Sequence, residues 1–326
     1  MIDQVLPPAQ APVVSAAIFK AYDIRGIVET ALTEEAVSAI GLALGAKARA
    51  RGIGQVVVGR DGRLSGPALA RALSAGLCAA GVDVIDIGMV PTPLVYFATV
   101  LTGCGTGVAV TGSHNPPEYN GLKMMLGGAT LHGEDIRDIA ATLADPARYA
   151  ALFAATPGTV RTQDVVPDYI ARIAGEVKLA RPLKVVVDAG NGVAGAVAPA
   201  LLRALGITDL TELYCEVDGH FPNHHPDPAH PENLRDLIRE VQVRHADIGL
   251  AFDGDGDRLG VVTRNGQMIF PDRQLMLYAA DVLEKNPGAT IIYDVKCTRN
   301  LAPWIRERGG EPLMWCTGHS LVKAKM

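Results

Sequence analysis

Short β-branched runs, each followed by a polar or glycine-bearing loop and then an amphipathic stretch, recur along this chain and set its architecture. QVVVGRD at 55–61 leads to VDVIDIG at 82–88, KVVVDAGNG at 184–192 to ITDLTELY at 207–214, and TIIYDVKCTR at 290–299 to EPLMWCTG at 311–318. Alanine-, leucine- or arginine-bearing segments fill the about 20 to 30 residues between partners, the spacing of a strand, a crossover helix and a parallel strand. The pattern predicts an α/β fold of consecutive β-α-β domains with mixed, mostly parallel sheets. A chain of 326 residues is too long for one ordinary α/β core, and domains are expected at 1–158, 159–264 and 265–326. In such sheets ligands gather at the carboxyl ends of strands, so the chemistry is sought in the loops after the apolar runs.

Two loops stand out. TGVAV at 106–110 reads as a short buried strand, and TGSHNPPEYNGLK at 111–123 follows it. His114, Asn115, two prolines and Gly121 stop this segment from continuing as strand or helix, so Ser113 should be held out in the open at a strand end. A serine there is either a turn residue or a nucleophile. The second loop, DGDGDR at 253–258, lies between the apolar segments ADIGLAF and LGVV. Asp253, Asp255 and Asp257, separated only by glycines, can curl around one hard cation. A calcium loop would need glycine at its sixth position and glutamate at its twelfth, and Arg258 and Arg264 stand there.

Mg²⁺ completes a shell of carboxylates with phosphate oxygens or water, and a phosphorylated Ser113 could supply the phosphate. Arg258, beside the last aspartate, could bridge its equatorial oxygens. The pairing implies phosphoryl transfer. TGSHN is not the nucleophile elbow of a serine hydrolase, which argues against that chemistry.

These motifs, with FKAYDIRG at 19–26, GRDGRLSG at 59–66, DVKCTRN at 294–300 and TGHS at 317–320, resemble the α-D-phosphohexomutase superfamily, in particular its bacterial phosphomannomutase/phosphoglucomutase branch. The likeness runs from about Ile18 to the last residue. It implies reversible interconversion of hexose 1-phosphate and hexose 6-phosphate, of mannose or glucose, through a phosphoserine at Ser113 and a hexose 1,6-bisphosphate that also serves as activator. It implies Mg²⁺ held by Ser113, Asp253, Asp255 and Asp257. Ser113, His114, Lys123, Arg25 and His319 match catalytic positions, and Tyr22, Arg258, Lys296 and His319 substrate-binding ones.

Each match has a physical counterpart. An ammonium at Lys123 near a divalent cation and Arg258 should be easier to deprotonate, as a general base requires. Arg25 follows Tyr22 in a polar break before the helix-like stretch from Thr33, where a salt bridge is the ordinary alternative. His319 opens the last helical run and could carry a proton, contact the sugar or cap the helix. The resemblance also implies that the third domain is incomplete and a fourth, with the distal phosphate clamp, absent. A phosphosugar- and Mg²⁺-binding fragment or a weak phosphatase is the alternative to a full mutase. LVKAKM closes the chain like a helix without a cap, and 313–316 would be an unpaired strand edge.

Composition narrows the partners. Hydrophobic content of 48% with 20% charged residues indicates packed globular units. The net charge of -5 provides no general attraction to nucleic acid, so an anionic phosphosugar must be captured by local Arg and Lys clusters. Cys78, Cys104, Cys215, Cys297 and Cys316 form no CxxC pair and are expected as reduced, buried thiols. The N-terminus lacks a basic segment before an apolar one and no run reaches membrane-spanning length, so a cytoplasmic protein without membrane partners is expected and, from its charge, one without nucleic-acid partners. That it is a monomer at full length is only what the resemblance implies. DGHFPNHHPDPAHPENL at 218–234 is rich in histidine but shows no ligand spacing, and reads as a proline-locked connection beside the cleft.

Overall fold

The computed structural model describes residues 12–326. The stretch before them, read above for a leader segment, lies outside the described residues. Three sheets form in chain order. The first contains β1 (Ile24–Ile27), β2 (Gln55–Arg60), β3 (Asp83–Met89), β4 (Gly107–Val110), β5 (Tyr119–Leu126), β6 (Ala129–Thr130) and β7 (Val160–Thr162). Its order is β1-β5-β4-β2-β3-β7, with β6 paired to β5. The second holds β8 (Lys184–Asp188), β9 (Asp209–Leu213), β10 (Ile248–Phe252), β11 (Leu259–Thr263) and β12 (Met268–Ile269) in the order β12-β11-β10-β8-β9. The third pairs β13 (Thr290–Tyr293) in parallel with β14 (Glu311–Met314).

All three predicted strand pairs are parallel neighbours: β2 with β3, β8 with β9, β13 with β14. Val56, Val57 and Val58 are fully buried because helices cover both faces of their strand, which explains the unbroken apolar run. Leu42, Leu73 and Leu77 fill one face; Ile85, Leu94 and Val95 fill the other. Thr33 caps the helix Glu34–Ala50 by accepting from the Ala36 amide at 3.2 Å, as its position predicts.

Three expectations need correcting. The first sheet reaches past the boundary expected at 158, because β7 adds to β3 in parallel through Val84, Ile85 and Asp86. Arg25 lies not in a polar break but on β1, whose backbone pairs with β5. β1 is too short to show alternation in the sequence. Of the cysteines, all of them free, Cys78 is buried but Cys316 is exposed, since it leaves β14 at a turn with no layer over it. No helix among the described residues is long and apolar enough to cross a membrane.

Candidate active site

β4 ends at Val110 and delivers the 111–118 loop at its carboxyl end. Ser113 is not in the open as expected: it is 2% exposed and adopts the left-handed conformation, with φ of 53°. The loop between β10 and β11 closes over it. A Cβ on Gly254 would fall 2.5 Å from the Ser113 carbonyl oxygen, so only glycine permits this approach. The result places Ser113 Oγ 3.3 Å from Asp253 Oδ2, with His114 Nδ1 at 3.4 Å and Lys123 Nζ at 3.5 Å from the same hydroxyl.

Each of Asp253, Asp255 and Asp257 offers a carboxylate oxygen within 4.8 Å of the others. Asp253 and Asp255 are fully buried. Asp253 Oδ1 accepts from the Asp257 and Arg258 amides, both at 3.0 Å, which folds the loop around it. Asp255 Oδ2 accepts from Lys123 Nζ at 2.7 Å and from the Thr92 hydroxyl at 2.5 Å, while its Oδ1 is buried without a hydrogen-bond partner. Burial, then the charges of Asp255 and Asp257, push Asp253 well above the usual carboxylate range. Burial acts on Asp255 in the same direction but is outweighed by Lys123 and Thr92, which leave it ionised. Three carboxylates, an orphaned buried oxygen and an adjacent hydroxyl are the donor set a hard divalent cation requires, and Mg²⁺ fits it.

Lys123, on β5, donates to Asp255 and, at 2.5 Å, to Asp257. Burial would lower its pKa, yet the two carboxylates raise it above the ordinary lysine value. The anions that touch the ammonium act against the easier deprotonation expected beside a divalent cation. His114 moves the other way. Burial and the charges of Arg258, Arg25 and Lys123 bring it down to about 4, against the pull of Asp227, so it is neutral near neutral pH. Burial and the charges of Lys123 and Lys323 likewise lower His319.

Above this floor opens a cleft of about 730 Å³, a size typical of small-molecule sites, lined by Tyr22, Arg25, Arg258, Lys296 and His319. All sequence-predicted site residues thus converge on one place, with Asp253 and Asp255 beneath it. Arg25 does form the salt bridge of its ordinary reading, at 2.5 Å to Asp23, and also donates to Asn115 at 3.4 Å; its Nε is buried and unpaired. Arg258 stands 3.8 Å from both Asp227 and Asp253. Lys296 reaches Asp294 at 3.4 Å with most of its side chain exposed. Gly318 packs on the Tyr22 ring, and the Ser320 hydroxyl donates to the Tyr22 carbonyl at 3.4 Å, which brings His319 to the first sheet.

The 218–234 connection contributes through Pro226, whose carbonyl accepts from the Gly254 amide at 3.2 Å, and through Asp227. His224 is no metal ligand here: its Nε2 lies 3.0 Å from both Asp188 oxygens and its Nδ1 3.1 Å from the His225 carbonyl. Two residues escaped the sequence reading. Thr92 begins a helix at Thr92–Leu101 and looks like an ordinary helix start. Arg63 lies within the GRDGRLSG motif, but nothing in that run indicates which groups it meets.

Consecutive α/β units whose loops deliver a serine, an acidic triad and a cationic wall to one cleft define the phosphohexomutase fold. The chain belongs to the phosphoglucomutase/phosphomannomutase family: that family's α/β/α domain I matches residues 16–149, domain II 167–266 and domain III 270–326. It is 56% identical over 309 residues to a phosphoglucomutase of Neisseria gonorrhoeae, covering 95% of this chain and 66% of that protein. A phosphomannomutase/phosphoglucomutase of Pseudomonas aeruginosa is 54% identical over 318 residues, with 98% and 67% covered. A crystal structure of a family protein from Burkholderia thailandensis superposes with a TM-score of 0.91 at 58% identity, covering 96% of this chain and 69% of that one. The chain thus spans about two thirds of the length of these relatives.

Proposed function

We propose that this chain carries out the phosphoryl-transfer chemistry of a hexose-phosphate mutase, interconverting hexose 1-phosphate and hexose 6-phosphate of glucose or mannose. Ser113 carries the phosphoryl group, and hexose 1,6-bisphosphate is both intermediate and activator. The observation that carries the reading is the Ser113 hydroxyl, 3.3 Å from Asp253 in a buried acidic triad, on the floor of a cleft walled by cations. The names of the similar proteins support the substrate class.

In the forward half, a sugar hydroxyl oxygen attacks phosphorus and the bond from phosphorus to Ser113 Oγ breaks. The electron pair stays on Oγ, and the sugar's proton passes to a base. Mg²⁺, when bound by Asp253, Asp255, Asp257 and the Ser113 oxygen, withdraws charge from the phosphoryl group. Lys123 at 3.5 Å, held as an ammonium, stabilises the charge on Oγ. His319, kept neutral, can accept the proton, and Arg25 and Arg258 grip phosphoryl oxygens. Tyr22 and Lys296 line the sugar side. The second half reverses these steps from the other end of the bisphosphate. Free thiols fit a reducing, cytoplasmic setting.

Intact mass spectrometry after incubation with hexose 1,6-bisphosphate and Mg²⁺ tests the reading. A phosphate adduct that maps to Ser113, passes to added hexose 6-phosphate and disappears in Ser113→Ala is expected. An unmodified serine would leave a phosphosugar-binding protein, and steady release of inorganic phosphate would make it a phosphatase.

A further inference from the structure

Arg63 is 1% exposed, among the largest fully buried side chains, and does not line the cleft. Its guanidinium nevertheless spends four of its five N–H groups on carbonyls of the loop that carries Ser113. Nη1 donates to the carbonyls of Pro116 at 2.6 Å and Tyr119 at 2.9 Å. Nη2 donates to those of Asn115 at 2.6 Å and Ser113 at 2.9 Å, and Nε to Asp61 Oδ2 at 3.2 Å. Five donors meet five acceptors, the full capacity of an arginine.

Asp61 closes the frame. Its Oδ2 accepts from the Thr111 hydroxyl at 2.7 Å and the Gly112 amide at 3.2 Å; Thr111 Oγ1 in turn accepts from the Ser113 amide at 2.8 Å. A Cβ on Gly112 would sit 2.4 Å from the Arg63 Nε and Cζ atoms, so the loop lies flat on the guanidinium. The left-handed conformation of Ser113 is unfavourable for a residue with a side chain and persists only where the surroundings over-determine it. From the second unit, the Phe221 ring lies 5.3 Å from Arg63 Cζ, and a Cβ on Gly62 would come 2.3 Å from Val217. The unit that carries Asp253 therefore seats on the turn that carries Arg63.

We infer that Arg63 is a positioning residue: its guanidinium moulds the 112–119 loop and thereby places the Ser113 hydroxyl against Asp253. Lysine cannot replace it, because three donors on a point charge cannot span four carbonyls. Only the kinetic half of the test rests on the proposed phosphoryl transfer.

The test uses the 326-residue chain with Arg63→Lys and Arg63→Ala. Amide hydrogen exchange should accelerate at least about tenfold across 112–121 in both variants, with β2 and β4 protected as before. Single-turnover phosphorylation of Ser113 by hexose 1,6-bisphosphate should slow on the order of a hundredfold, the cost of a displaced reacting atom. Mg²⁺ affinity should change less than about threefold, and added guanidinium ion should restore the rate of Arg63→Ala but not that of Arg63→Lys. Unchanged exchange in Arg63→Lys overturns the inference. So does loss of protection throughout the first sheet in both variants, which would make Arg63 a general stability element, or a loosened loop with undiminished transfer. If the unsubstituted chain takes up no phosphoryl group, the proposed function falls while the exchange comparison still decides the role of Arg63.

Discussion

The two walls of the cleft are built differently. The floor, from the first and second units, is buried and over-determined: Ser113 and Lys123 are 2% and 4% exposed, Asp253 and Asp255 fully covered, and of these four side chains only one Asp255 oxygen lacks a hydrogen-bond partner. The wall from the third unit stands on a two-stranded sheet, and Lys296 projects from it with its side chain 72% exposed. It meets the floor through a few contacts such as Ser320 to the Tyr22 carbonyl. The contrast suits the proposed reaction, in which phosphorus would be met by atoms already in place and a bisphosphate would be accepted in two orientations. On that proposal rigidity would serve the phosphoryl group, and adaptability the sugar.

Substitutions on the floor should have large effects and those on the wall small ones. Asp255→Asn removes charge from the centre of the triad, and Ser113 phosphorylation should fall by about a thousandfold in a single-turnover assay, as for loss of a transition-state charge stabiliser. Removal of Mg²⁺ with a chelator should have a comparable effect in the unsubstituted chain. An effect below tenfold would mean that the triad is not the metal site. Lys123→Met leaves buried carboxylates without their ammonium and should cost about 3 to 5 kcal/mol in urea unfolding, with part regained on adding Mg²⁺. On the exposed wall, Lys296→Met should weaken hexose-phosphate binding about tenfold in calorimetry while leaving stability within about 0.5 kcal/mol. A large loss of stability there would erase the contrast between the two walls.

The smallest effect expected is on pH. Burial lowers the His224 pKa, but the hydrogen bond and charge of Asp188 outweigh it, and the net shift is upward from 6.5. The pair's contribution is thus complete below the unfolded value and fades as pH rises through the higher folded one. His114 acts oppositely: brought down from 6.5 to about 4, it withdraws stability as pH falls through that interval. His224→Gln should flatten the alkaline side of a stability profile and leave the acid side unchanged.

Much of this was legible without coordinates, for reasons that differ by residue. Valine runs and Asp-Gly alternation are local signals, and each of the three strand pairs and the triad followed from them. The burial of Ser113 was not legible, because the covering Gly254 comes from a different unit and only the assembled pair of loops excludes water. The direction of the Lys123 shift depended on which charges it touches, and two carboxylates from that same distant loop decide it. Arg63 and Thr92 carry no distinguishing pattern, since apart from the neighbouring Asp61 their partners are backbone carbonyls of another loop and one remote carboxylate. Motifs report which residues meet a ligand more readily than which residues hold them.

The central claim is that one cation and one phosphoryl group share the Ser113 oxygen and the three aspartates. Electron-nuclear double resonance of the chain loaded with Mn²⁺ in place of Mg²⁺ tests this directly. After treatment with hexose 1,6-bisphosphate, the account predicts a strong phosphorus coupling to the bound manganese that is absent in Ser113→Ala. Manganese bound at the triad with Ser113 phosphorylated and no phosphorus coupling would contradict it.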